Sequence, residues 1–138
     1  MYFKGKYDFL SNMYPCDIKI TFNGRTYTFT CVESAFQSFK DLSRMSEFEG
    51  LNGYESKKLG RKVNLRKDWD DVKVDIMRDL VKQKFLNLEL SKKLVEIEGE
   101  IVEHNSWNDT FWGVSYGKGK NMLGLILMEI RDEIKNKK

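Results

Sequence analysis

The sequence predicts an α+β fold: a mainly helical single domain over residues 1–138 with a small β-hairpin or sheet. Three observations carry this expectation. Apolar and polar residues alternate on both sides of Asn23-Gly24, and apolar residues recur at helical spacing in four later segments. A chain of 138 residues can also build one core, but has too little material for a second domain of ordinary size. Hydrophobic residues at 41% can fill that core, and charged residues at 33% can cover it.

Each element follows from local chemistry. Ile18, Ile20 and Phe22 alternate with Lys19 and Thr21, Asn23-Gly24 supplies the pair a type I′ turn needs, and Tyr27 and Phe29 resume the alternation. Thr30 is expected to cap the next segment, where Val32, Ala35, Phe36, Phe39 and Leu42 mark a first helix. A second helix is predicted from about Asp70 to Phe85, with Val72, Ile76 and Leu80 beside a row of Met77, Val81 and Phe85. Leu88 to Glu98 reads as a shorter helix, and Ile101-Val102 as a strand or an extended connection. A glycine-rich loop, Gly113 to Gly119, leads into a last helix from Asn121 with Leu123, Ile126, Leu127, Ile130 and Ile134 on its buried face.

The inventory of reactive side chains is narrow. One histidine (His104) and two cysteines (Cys16, Cys31) exclude a zinc centre of four Cys or His ligands within one chain, and any hydrolytic triad has to run through His104. Chemistry then falls to carboxylates, lysines, hydroxyls or aromatics. Two cysteines do not make a disulfide framework, so both are expected reduced and partly buried. No apolar stretch approaches 18 residues, and Met1 to Leu10 contains lysines and an aspartate, so the expectation is a soluble, cytoplasmic protein with no membrane partner. The net charge is only +3, but its distribution is uneven. Lys57, Lys58, Arg61, Lys62, Arg66 and Lys67 form a basic run with no acid between Ser56 and Lys67, and both a solvated basic face and a phosphate-bearing partner fit it.

Two constellations stand out. On a helical wheel Glu33, Gln37 and Lys40 fall within about 60° of one another, beside the apolar arc of the first helix. On an exposed edge they only solvate the helix. If partly buried, Glu33 and Lys40 meet in a cleft, where desolvation favours the neutral amine and the carboxylate favours its cation. The second constellation is Asn105 to Gly119, NSWNDTFWGVSYGKG. Trp107 and Trp112 either pin this loop to the core or, with Asp109, form a wall for a flat base or a sugar. Its glycines admit backbone amides to a ligand, the start of the last helix adds a field favourable to an anion, and Lys118 and Lys120 reinforce it.

The motifs, taken together, resemble the NADAR or YbiA-like family over nearly the whole chain. They are Phe9-Leu10-Ser11-Asn12 with Pro15; Val32-Glu33-Ser34-Ala35-Phe36-Gln37 with Lys40; Lys58-Leu59-Gly60-Arg61; Leu65-Arg66; and Asp68-Trp69-Asp70. They continue through Lys84-Phe85, Ile101-Val102-Glu103, Asn108-Asp109, Phe111-Trp112-Gly113, Gly117, Gly119, Asn121, Leu123-Gly124, Leu127-Met128 and Ile130-Arg131. The resemblance implies an N-glycosidase that cleaves a ribose C1–nitrogen bond. Its substrate would be a phosphoribosylamino-pyrimidine of riboflavin synthesis or ADP-ribose attached to guanine, in a small molecule or in ADP-ribosylated nucleic acid. It implies Glu33, Trp69, Asp109 and Trp112 at active-site positions, and Lys40 where a lysine forms a Schiff base with the opened ribose. Ser34 departs from the histidine many members carry, and Val114 from a glycine or small polar residue.

From the resemblance the expected catalytic set is Glu33, Lys40 and Asp109, without metal or cofactor. Arg61, Arg66, Lys118 and the Gly117 to Gly119 amides are expected at the phosphates. Trp69 and Trp112 are expected to stack on base or ribose, and Asn12, Gln37, Gly113 and Asn121 to complete the substrate contacts. A module that binds ADP-ribose or NAD-derived nucleotides without turnover is the competing expectation, and a nucleic-acid binder a third.

Overall fold

The computed structural model describes residues 1–137. They gather into two compact units, residues 12–84 and residues 1–11 with 85–137.

In the first unit, β1 (Ile18–Phe22) and β2 (Arg25–Phe29) pair antiparallel, Ile18 opposite Phe29 and Phe22 opposite Arg25. The turn is the one its sequence dictates, because Asn23 (φ 50°) and Gly24 (φ 75°) both take the left-handed conformation. The hairpin packs on α1 (Val32–Ser38). Thr30 does not cap this helix: its hydroxyl donates to the Leu51 carbonyl, and the N-cap residue is Cys31. The helix also stops at Ser38 rather than at Leu42, which begins a 3-10 segment, Leu42–Phe48, capped by Asp41. All seven residues of α1 are buried, the polar Glu33, Ser34, Gln37 and Ser38 among them. A helix covered on every side must pair its polar groups internally.

Gln37 bonds Glu33 and Ser38 bonds the Ala35 carbonyl within the helix, Ser34 reaches the Phe48 carbonyl, and Ser56 reaches Ser34 from a helix the sequence patterning did not predict, α2 (Gly53–Gly60). A capping box starts it. The Asn52 side chain accepts from the Glu55 N–H, and the Glu55 carboxylate accepts from the Asn52 N–H, each at 2.9 Å. Gly53, Ser56 and Gly60 are its buried residues and lie on one face. Then α3 (Trp69–Lys84) buries Trp69, Met77, Leu80, Val81 and Lys84, whereas Val72 and Ile76 are only half-buried, so the inward face lies to one side of the predicted row. Cys16 is half-buried and Cys31 buried, both are free, and burial raises both thiols.

In the second unit, a 3-10 segment, Gly5–Leu10, buries Phe9 and Leu10, and the Phe9 ring meets Phe85 edge-on at 6.4 Å. The helix α4 (Leu88–Val95) is capped by Asn87, buries Leu90 and Leu94, and packs on α5 (Met122–Asn136). The inward face of α5 is Leu123, Gly124, Ile126, Leu127, Ile130 and Arg131, with Ile134 only half-buried. The Arg131 guanidinium donates to the carbonyls of Ile97 (2.9 Å) and Gly99 (2.7 Å), fixing the chain as it leaves α4. Ile101-Val102 is an extended connection, and β3 (His104–Asn105) pairs parallel with β4 (Val114–Ser115) inside the loop that precedes α5. Among the described residues no helix is long and apolar enough to cross a membrane.

Candidate active site

The polar stripe of α1 is interior, not an exposed edge. Glu33 is 9% exposed and Gln37 6%. One turn apart, they are joined by a hydrogen bond from Gln37 Nε2 to Glu33 Oε2 at 2.7 Å. The Glu33 N–H donates to the Asn12 carbonyl at 3.0 Å, so Asn12 meets this helix through its main chain while its side-chain amide points to Met77 Sδ at 3.5 Å.

Although α1 ends at Ser38, the turn continues. The Phe39 N–H donates to the Phe36 carbonyl and the Lys40 N–H to the Gln37 carbonyl, which keeps Lys40 on the same edge as Glu33. Its ammonium sits 5.8 Å from the centre of the Trp69 ring. Trp69 in turn lies 4.9 Å from Phe36 and is 8% exposed, so its ring is a wall behind Lys40 rather than an open stacking platform. Half-buried Lys40 has its proton affinity pushed below that of an ordinary lysine. Burial is the main cause, the Glu33 carboxylate opposes it, and the charges of Arg61, Lys57 and Lys73 add to the lowering. Of the two competing effects foreseen from the sequence, desolvation wins.

Arg66 is committed elsewhere. Its guanidinium forks onto Asp68 (Nε to Oδ1 2.6 Å, Nη2 to Oδ2 3.1 Å), donates to the Phe39 carbonyl at 3.3 Å, and its own N–H donates to the Lys40 carbonyl at 2.9 Å. It shapes the segment that carries Lys40. Arg61 is exposed and acts on Lys40 through space.

The loop of residues 103–121 is held mainly by its own side chains. Asn105 donates to the Glu103 carboxylate and the Asp109 carbonyl, each at 2.9 Å, and accepts from the N–H groups of Trp107 and Asp109. Asp109 Oδ1 accepts from the N–H groups of Phe111 (3.2 Å) and Trp112 (2.9 Å). Half-buried Trp112 packs edge-on against Phe111 at 4.8 Å. Trp107 is 58% exposed, so it does not pin the loop. Asn121 (φ 54°) bridges the chain, accepting from the Glu103 N–H and donating to the Ile101 carbonyl, both at 2.9 Å. Gly113 leaves room for Glu103, whose carbonyl a Cβ would overlap, and Gly119 does the same for the Gly113 carbonyl.

This network engages several of the donors around the expected anion site. The N–H groups of Asn121, Met122 and Leu123 at the start of α5 donate to the carbonyls of Gly113, Phe111 and Trp112, and the Lys118 N–H donates to the Ser115 carbonyl. These donors are spent on closing the loop, leaving Gly117 and Lys118 exposed at its tip. Among the described residues no three His, Cys, Asp or Glu side chains gather as a metal would need.

The NADAR domain family matches residues 2–135 of this chain. The chain belongs to the NADAR family. N-glycosidase YbiA of Escherichia coli is 33% identical to this NADAR chain over 134 residues, covering 93% of it and 82% of the relative. The NMR structure of that protein matches with a TM-score of 0.82 at 32% identity, covering 99% of this chain and 85% of the other. A riboflavin biosynthesis protein of Vibrio vulnificus is 34% identical over 137 residues, 91% of this chain but 35% of that protein. An N-glycosidase of Nostoc punctiforme is 45% identical over 74 residues, 52% of this chain and 47% of that one. The NADAR chain therefore spans about a third to a half of the length of these last two relatives.

Two features of this NADAR domain lie outside the expected set. Lys57 and Lys73 join Arg61 in acting on Lys40. The small face of α2 packs on α1, and its sequence signal is Gly53-x-x-Ser56-x-x-x-Gly60, the i, i+3, i+7 spacing of a helix stripe. Ser34 belongs to that contact. Fully buried, its hydroxyl donates to the Phe48 carbonyl and lies 2.9 Å from the Ser56 hydroxyl, so the departure from histidine falls inside helix packing.

Proposed function

We propose that this NADAR protein is an N-glycosidase that hydrolyses the ribose C1–nitrogen bond of a phosphorylated N-riboside. One observation carries the reading: a buried carboxylate, Glu33, on an interior helix and a lysine of lowered proton affinity, Lys40, on the turn that continues it lie on one edge. Such a pair supplies a nucleophile and a proton carrier without needing a histidine. The names of the Escherichia coli and Nostoc relatives support the reaction, and that of the Vibrio relative favours a riboflavin-pathway phosphoribosylamino-pyrimidine over ADP-ribosylated guanine.

The neutral Lys40 amine attacks C1, the C1–N bond breaks, and its electron pair leaves with the base nitrogen, which takes up a proton. The ring oxygen then departs from C1, giving an open-chain protonated imine. Water adds to the imine carbon, the C–N bond to lysine breaks, and free amine and ribose phosphate are released. Glu33 stabilises the positive charge that grows at C1 and moves the protons between amine, base and water. Trp69 keeps the amine desolvated from behind. Arg61 and Lys57 meet the phosphate, and Asp109 shapes its loop rather than taking part in bond breaking.

Incubation with a phosphoribosylamino-pyrimidine and, side by side, with ADP-ribosylated guanosine tests this. Release of free base, faster from the first, is the expected result. Saturable binding of both without base release would replace the enzyme with the binding module.

A further inference from the structure

We propose that Gly60 holds the Gln37 amide on Glu33, which makes position 60 a positioning residue for the carboxylate. The contact rests on packing alone; only its catalytic consequence rests on the N-glycosidase reading. The Gln37 side chain has two ends with different fates. Nε2 donates to Glu33 Oε2 at 2.7 Å, while Oε1 is buried and, among the described residues, accepts no hydrogen bond. Turning the amide over would set two acceptors against each other, so the orientation is fixed by Glu33. What fixes its position is α2. A Cβ at Gly60 would overlap Gln37 Oε1 and come within 3.0 Å of Cδ.

The glycine is there for space and not for backbone freedom. Gly60 is the last residue of α2 and is not among the residues of positive φ. Alanine suits such a backbone and is favoured over glycine within a helix by up to about 1 kcal/mol. The same face of α2 packs closely elsewhere on this surface, since the Ser56 hydroxyl lies 2.9 Å from the Ser34 hydroxyl and a Cβ at Gly53 would overlap Met13 Sδ and lie 3.4 Å from Glu33 Cβ. An amide pushed away from position 60 leaves its hydrogen bond to Glu33.

The test compares wild type, Gly60→Ala, Gln37→Ala and the double variant of the full chain, with a phosphoribosylamino-pyrimidine as substrate. Gly60→Ala is expected to lower kcat about tenfold, in line with loss of a hydrogen bond to a charged group, with KM within twofold. The double variant should be no slower than Gln37→Ala, because both changes act through one contact. Unchanged kcat in Gly60→Ala, or the same tenfold fall added on top of Gln37→Ala, overturns the proposal. A second readout needs no turnover. The Gln37 side-chain amide hydrogens should exchange slowly in wild type and fast in Gly60→Ala, with the backbone amide spectrum otherwise retained. If the wild type releases no base, the function fails while this exchange still decides the contact: slow exchange kept in Gly60→Ala overturns it, and accelerated exchange supports it.

Discussion

Gln37 Nε2 donates to Glu33 Oε2 at 2.7 Å, from one turn further along a helix that has no solvent-facing side. The Gln37 amide therefore fixes the direction of a buried carboxylate. Glu33→Gln keeps the shape and removes the charge, so the fold should persist, while kcat for base release should fall by about 100- to 1,000-fold if Glu33 stabilises the sugar cation. Steady-state kinetics beside a thermal melt check this, and an unchanged kcat in a folded variant ends the assignment.

Lys40 gives the pH dependence. Its folded value is lowered, and the proposed attack needs the neutral amine, so kcat/KM should rise with pH and level off below the range of an ordinary lysine. The stability linkage has a definite sign. Between the lowered folded value and the ordinary unfolded one, the unfolded chain binds more protons, so stability rises with pH across that window, and the cost is fully present below it. Lys40→Met should therefore melt higher than wild type at neutral pH, with the advantage fading at alkaline pH. Borohydride in the presence of substrate should trap a covalent adduct on wild type and none on Lys40→Met; a trapped adduct on the variant removes the imine.

Arg66 separates a positioning role from a phosphate contact. Its fork onto Asp68 is solvent-exposed enough to add little, but its bond to the Phe39 carbonyl is partly buried. Arg66→Ala should cost about 1 kcal/mol in urea denaturation and lower kcat through the Lys40 backbone, with KM within twofold. A tenfold rise in KM confined to phosphorylated substrate would restore the phosphate contact expected from the sequence.

The loop before α5 depends on one oxygen of Asp109, which holds the N–H groups of Phe111 and Trp112. Asp109→Ala leaves both donors without that acceptor and should lose about 1–3 kcal/mol in a denaturation followed by tryptophan fluorescence, whereas Asp109→Asn, which keeps the oxygen, should lose much less. Equal stability of all three proteins would return Asp109 to the candidates for direct chemistry.

The fold and the site were legible in the sequence only in part. The hairpin was readable because Asn23-Gly24 admits few other turns, and α3 and α5 because a long apolar period survives neighbouring detail. The stripe Glu33, Gln37, Lys40 was readable as a position on a helix, but its burial was not, since it comes from α2, α3 and the other elements packed around it. The sequence pattern of α2 is faint because its inward face is Gly53, Ser56 and Gly60, which carries no apolar period, although the Asn52–Glu55 capping box marks its start. The residues at the start of α5 read as an anion site because the sequence does not show that carbonyls of residues 111–113 reach those amides first.

Arg61 offers the most discriminating substitution, because it touches two readings at once. Exposed, it repels the proton of Lys40, and it is the guanidinium near that amine not committed to the Asp68 fork. Arg61→Gln should raise the Lys40 value and move the rising limb of kcat/KM toward higher pH, so activity at neutral pH falls and recovers partly in alkali. If Arg61 also meets the phosphate, KM should rise about tenfold for a phosphoribosylamino-pyrimidine and stay unchanged for the dephosphorylated riboside, the size expected when a charge-assisted contact is lost. A shifted pH limb with equal KM changes for both substrates would keep the electrostatic role and reject the phosphate contact. No shift and no KM change would show that neither role belongs to Arg61.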